Sequence, residues 1–113
     1  VSGISIYASD DIVAYSDAKV KGDVKVIKNA IEKIKEIRGV TFIRIDREDN
    51  QRHAGVIAQE VQKVLPEVVT TRPDDGTLAV AYGNLNALLI EAIKEQQAQI
   101  EELKNEIKEL KNK

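Results

Sequence analysis

The sequence predicts an α+β protein: a small helix-and-hairpin unit followed by a long C-terminal coiled-coil helix. Three patterns carry that reading. Apolar residues recur at helical spacing over residues 26–38. Two β-branched stretches fold back across turn signals between residues 40 and 82. A heptad repeat runs from Leu89 to Leu110. The chain therefore divides into residues 1–15, the end of an upstream segment, residues 16–83, the α+β unit, and residues 84–113, the coiled-coil helix.

Residues 1–15 alternate in polarity. Ile4 and Ile6 read as a short strand, Ser9-Asp10-Asp11 interrupts it, and Ile12 to Tyr15 read as a second extended piece. Both are too short to fold alone. With a Val1 start and no Met anywhere, the chain is expected to be cut from a longer protein. Residues 16–23 show no period and read as a loop. Over residues 26–38, Ile27, Ala30, Ile31, Ile34 and Ile37 share one helix face, with Gly39 at the position that ends a helix.

Val40 to Ile45 reads as a strand, Asp46 to Asn50 as a polar turn, and Arg52 to Val56 as the return of a hairpin. Ile57, Val61, Val64 and Leu65 suit a short helix stopped by Pro66. Val68 to Thr71 is extended. Pro73-Asp74-Asp75-Gly76 is a turn in which Pro presets φ and Gly supplies φ > 0, and Leu78, Val80 and Tyr82 form the returning strand.

From Asn84 to Lys113 the chain reads as helix. Ile93, Ile100 and Ile107 occupy a positions, and Leu89, Gln96, Leu103 and Leu110 occupy d positions. Glu106 at g faces Lys111 at e′ on a neighbour. A helix of about 45 Å with such a seam needs partners to be stable in water. Ile at a with Leu at d leans towards two strands, and Gln96 fixes register rather than number. The residues alone therefore leave dimer and trimer open. The seam runs on from Leu89 and Ile93 without a break, which favours a native coiled coil over an appended zipper.

Composition narrows the function. With one Phe, three Tyr and no Trp among 113 residues, a private core is thin, and self-association is the natural remedy. The net charge is −2, with acidic and basic residues interspersed, which argues against nucleic acid or an anionic membrane as the main partner. No cysteine is present to build a disulfide or thiolate metal site, and no apolar run approaches a membrane span. No cofactor or metal is expected. The scarcity of aromatics also weighs against a receptor-binding tip.

Several landmarks occur in order. Ser16-Asp17 is followed by Lys21. The helix ends in Arg38-Gly39-Val40-Thr41-Phe42. Then come Gly55-Val56-Ile57-Ala58-Gln59-Glu60-Val61, Pro66, and Val80-Ala81-Tyr82 leading into Leu88-Leu89-Ile90-Glu91-Ala92-Ile93-Lys94-Glu95. On these, residues 16 to about 103 resemble the intramolecular chaperone domain of phage endosialidases, tail fibres and neck appendages, also classed as peptidase family S74. The resemblance implies an intertwined homotrimer that helps an upstream fibre segment of the same polypeptide fold, then releases itself by serine–lysine autoproteolysis. It implies work in the bacterial host cytoplasm during virion assembly, and absence from the mature fibre.

Carried onto this chain, the resemblance makes Ser16 the nucleophile and Lys21 the general base. It puts the cut beside Ser16, at Ser16–Asp17, with an acyl shift at Tyr15–Ser16 as the chemical rival. A serine needs a base to take its proton. A lysine amine titrates near about 10.4 in water, so it serves only where enclosure disfavours its charged form. Trimer assembly is expected to supply that enclosure. Five residues apart, the pair meets on neither a helix nor a strand, so it needs a turn or a second chain. Lys19 is a rival base. His53 reads as a hairpin residue rather than a catalyst, Gln59 and Glu60 as either a site or bonds to nearby backbone, and Ser16-Asp17 in its plainest sense as a turn pair. The competing function is a non-catalytic trimerisation domain of a fibre protein.

Overall fold

A computed structural model describes residues 5–113. It contains three α-helices and two separate antiparallel hairpins: α1 (Ala30–Lys35), β1 (Val40–Ile43), β2 (Arg52–Gly55), α2 (Ala58–Val64), β3 (Val69–Thr71), β4 (Leu78–Val80) and α3 (Asn86–Lys111). The α+β class and the long C-terminal helix are as the sequence predicts.

The first helix is shorter than its apolar periodicity. Val24, Val26 and Ile27 crowd β-branched side chains, which resist helix. Asn29 adopts the left-handed conformation (φ 56°, ψ 42°), and the helix starts only after it. At the far end the Ile37 N–H closes on the Ile34 carbonyl at 3.0 Å. Gly39 lies beyond this closure and is not left-handed, so its expected helix-ending role is not realised. The predicted face survives nonetheless. Ala30 is fully buried, and Ile27, Ile31, Ile34 and Ile37 pack around the core.

In the first hairpin Phe42 stands opposite His53, and their rings stack with centroids 5.8 Å apart. The second hairpin turns where Pro73 to Gly76 predict it. Gly76 has φ 75°, its N–H donates to the Arg72 carbonyl at 2.9 Å, and the Arg72 N–H donates to the Thr77 carbonyl at 2.8 Å. Arg72 also holds Asp75 through Nε at 3.0 Å and Nη2 at 2.7 Å. With the Thr77 N–H adding a further bond, this keeps the Asp75 carboxyl well below the usual carboxylate range. Pro66 ends α2 and starts a 3-10 turn, Pro66–Val68, that leads into β3.

A second 3-10 turn, Tyr82–Leu85, feeds α3. The early turns of α3 carry two apolar faces. Leu85, Leu88 and Ala92 face α1 and α2 and complete the core with Val61, Leu65 and Val68. Leu89 and Ile93 point elsewhere, in line with Ile100, Leu103, Ile107 and Leu110, and all six are exposed. The helix ends at Lys111 rather than running to Lys113.

Residues 5–28 form no β-strand among those described; Ile6 and the Ile12–Tyr15 piece lie in irregular chain, and Ile4 lies outside the described residues. A strand needs a lateral partner for its N–H and C=O groups, and a single protomer offers none here. The loop at residues 16–23 holds one short 3-10 turn, Ala18–Val20.

Candidate functional site

Ser16 sits at the entrance to the Ala18–Val20 turn and Lys21 at its exit. The next residue, Asp17, caps this turn: its Oδ1 accepts the Lys19 N–H at 2.9 Å. The Val20 N–H donates to the Asp17 carbonyl and the Lys21 N–H to the Ala18 carbonyl, both at 3.1 Å. The chain thus reverses between Ser16 and Lys21. One short 3-10 turn lies between the two residues.

Both residues line one open groove of about 600 Å³. Its wall includes Tyr15 from the upstream segment, Glu67 and Val68 from the turn before β3, and Gly83 and Asn84 from the turn before α3. Asp17 is not among the lining residues, because its side chain is turned to the Lys19 backbone. Lys19 does not line the groove either. In the single protomer Ser16 and Lys21 are exposed, and among the described residues no hydrogen bond joins them.

Apolar side chains around this site stand open to solvent. Ile12, Val13, Val20, Val24 and Val26 are exposed, and Tyr15 is 99% exposed. Large apolar patches on a soluble protein mark association, and six exposed apolar side chains between residues 12 and 26 are candidates for one. The exposed α3 seam is a second surface of this kind.

The framework behind the groove is held by three contacts that sequence reasoning passed over or left open. Glu60 ties α2 to the residues after α1: Oε1 accepts the Arg38 N–H at 3.1 Å, and Oε2 accepts Nε at 2.9 Å and Nη2 at 2.6 Å. The Arg38 guanidinium, then its backbone N–H, hold the Glu60 carboxyl below its ordinary value. Glu60 thus binds both the side chain and the backbone of Arg38. Gln59 lines a different groove, between the two hairpins.

Glu95 of α3 accepts the first N–H groups of α1, and Tyr82 accepts the Val56 N–H through its hydroxyl at 3.2 Å. The Tyr82 ring lies so close to Gly55 that any Cβ there would collide with the phenolic oxygen. The sequence signal for this pair was the glycine at the end of the returning hairpin strand, which the turn rules do not explain. His53 serves the hairpin stack and does not line the Ser16 groove.

The comparisons with known proteins agree with this framework. Residues 16–70 match the Peptidase_S74 family, described as chaperone of endosialidase. The chain is 36% identical over 102 residues to the long tail fiber protein Gp37 of Enterobacteria phage M1, covering 84% of this chain and 41% of that one. It is 44% identical over 92 residues to Gp37 of Escherichia phage AR1, covering 75% of this chain and 8% of that protein. For Gp37 of Salmonella phage S16 the match is 37% over 120 residues, 97% of this chain and 16% of the relative. The chain thus spans less than half the length of these fibre proteins. The landmarks from Ser16 to Pro66, and the first hairpin and the helices on either side of it, fall within the matched stretch: residues 16–70 carry the Peptidase_S74, chaperone-of-endosialidase, pattern.

Proposed function

We propose that this domain assembles as a homotrimer at the end of a phage long tail fibre protein, helps the upstream fibre segment fold in register, and then cuts itself free through Ser16 and Lys21. The work belongs to virion assembly in the host cytoplasm, and the released domain is absent from the finished fibre. The family match and the Gp37 relatives support the chaperone and its fibre. The single observation that carries the self-cleavage is that Tyr15, Ser16 and Lys21 line one groove, with exposed apolar residues around it waiting for cover.

In this reading, association of three seams closes the groove. Water leaves, the charged form of Lys21 is disfavoured, and the neutral amine takes the Ser16 hydroxyl proton. The timing follows: an unassembled chain leaves Lys21 in water and stays whole. Chain order also bears on which bond breaks. Attack by Ser16 Oγ on its own carbonyl would close a strained β-lactone, so cutting Ser16–Asp17 needs the serine of another chain. Attack on the Tyr15 carbonyl closes an unstrained oxazolidine within one chain. The resemblance puts the cut at Ser16–Asp17, with Tyr15–Ser16 as the chemical rival.

The test is expression with the natural upstream fibre segment, as wild type and as Ser16→Ala and Lys21→Ala, with the products weighed by mass spectrometry. Two fragments from wild type and one intact chain from each variant support the reading. The masses also report the bond, since the two candidate cuts differ by one serine. A wild-type trimer that stays intact leaves only the non-catalytic trimerisation domain.

A further inference from the structure

Resting on the homotrimer of that reading, we propose that the groove between the two hairpins receives residues 6–13 of a neighbouring protomer, so that each chain holds the end of the next chain's upstream segment. This groove has a volume of about 830 Å³ and shares no lining residue with the Ser16 groove. Phe42, Val56, Leu78 and Val80 supply its apolar lining. All three residues of β4 line it, and β4 pairs with β3 alone, so the other edge of the strand is open. An open edge accepts an extended segment through main-chain hydrogen bonds.

Charge selects the segment. Three arginines and one aspartate line the groove. Arg44 Nε donates to Asp46 at 2.9 Å, and Arg72 Nη2 donates to Asp75 at 2.7 Å. Arg47 is left over: it is partly buried, and among the described residues it has no ion-pair partner. A carboxylate from outside would complete it with charge-assisted hydrogen bonds. Residues 6–13 bring Asp10 and Asp11 and no basic residue. Ile6, Tyr7, Ile12 and Val13 are each at least 85% exposed in the single protomer, which leaves them free to meet the apolar lining. The segment finds no partner in its own chain. Among the described residues its side-chain hydrogen bonding is local, from the Asp11 N–H to Asp10 Oδ1 at 2.7 Å. Ala14, Tyr15 and Ser16 line the Ser16 groove of their own protomer, so seating residues 6–13 on a neighbour leaves the reacting residues in place.

The experiment uses the full chain with its upstream fibre segment, kept whole by Ser16→Ala, with a photoreactive benzoylphenylalanine in place of Ala79 on β4. Trimer assembly is read by native mass spectrometry before illumination. The expected product is a two-chain band whose cross-linked peptide contains residues 6–13. Arg47→Glu should lower its yield about fivefold, and Asp10→Lys with Asp11→Lys in that background should restore it. Gln59, exposed on the same lining, is the second probe position if a change at Ala79 disturbs assembly. A trimer that cross-links from both positions only within one chain, only to other residues, or not at all would overturn the inference and leave the trimer reading standing. An unchanged yield in Arg47→Glu would overturn it equally. A chain that forms no trimer removes the reading and this inference together.

Discussion

Glu95, on the long helix α3, caps Ala30, the first residue of the short helix α1. One carboxylate oxygen accepts the Ala30 N–H at 2.7 Å and the other accepts the Ile31 N–H at 3.0 Å. Asn29 stands at the cap position but makes no side-chain bond there, so a residue 65 positions away does the work an N-cap residue usually does. Helix α1 is too short to hold itself and is fixed by the helix that carries the seam.

The cap predicts acid sensitivity. The Ile31 and Ala30 N–H groups hold the Glu95 carboxyl below its ordinary 4.5. As pH falls past that value the unfolded chain takes up the proton first. Stability contributed by the cap is therefore whole above about 4.5 and is lost as pH drops through the lower, folded value. Glu60 titrates in the same direction, held by Arg38. Urea midpoints should be flat near neutrality and fall below 4.5. Glu95→Gln should lower the neutral midpoint and flatten the acid limb, and adding Glu60→Gln should flatten it further. An acid limb unchanged in the double variant would refute the assignment.

The Gly55–Tyr82 contact predicts non-additive mutations. Tyr82→Phe removes the acceptor of the Val56 N–H and should cost about 1 kcal/mol. Gly55→Ala should cost more, because the new methyl meets the phenolic oxygen. In the Tyr82→Phe background that clash is gone and only the Cζ atom at 3.3 Å must give way, so Gly55→Ala should cost clearly less. A double-mutant cycle by denaturant unfolding measures the difference. Additive losses would show that the two residues do not couple.

Leu88 and Leu89 are neighbours with separate duties. Leu88 is 0% exposed and Leu89 45% exposed. Leu88→Ala should destabilise the folded unit by about 2–5 kcal/mol. Leu89→Ala should leave that packing nearly intact and weaken association instead. Sedimentation and thermal unfolding over a range of protein concentrations separate the two effects.

The seam itself is open to a harsher test. Ile93→Lys or Ile100→Lys places charge at a core a position. Sedimentation equilibrium should report dissociation. If assembly encloses Lys21, the same variants should retain the upstream segment uncut even with Ser16 and Lys21 present. Efficient cutting by a dissociated variant would separate catalysis from assembly.

The sequence by itself determined most of the element types and the apolar repeat along α3. Alternation, turn residues and the heptad are local patterns, and Pro73 to Gly76, Pro66 and the Leu89–Leu110 repeat fold as their spacing dictates. Family landmarks likewise brought Ser16 and Lys21 forward, and the two do share a groove. Only the tertiary structure decided where α1 begins, why Gly55 is a glycine, which face of α3 serves the core, and that Asn84 joins the groove. Each of these depends on a partner far along the chain: Glu95 for Ala30, Tyr82 for Gly55, α1 for Leu88, the Ser16 turn for Asn84. Side-chain periodicity reports what a segment prefers, whereas a cap, a close contact or a shared groove exists only after packing has brought distant atoms within reach.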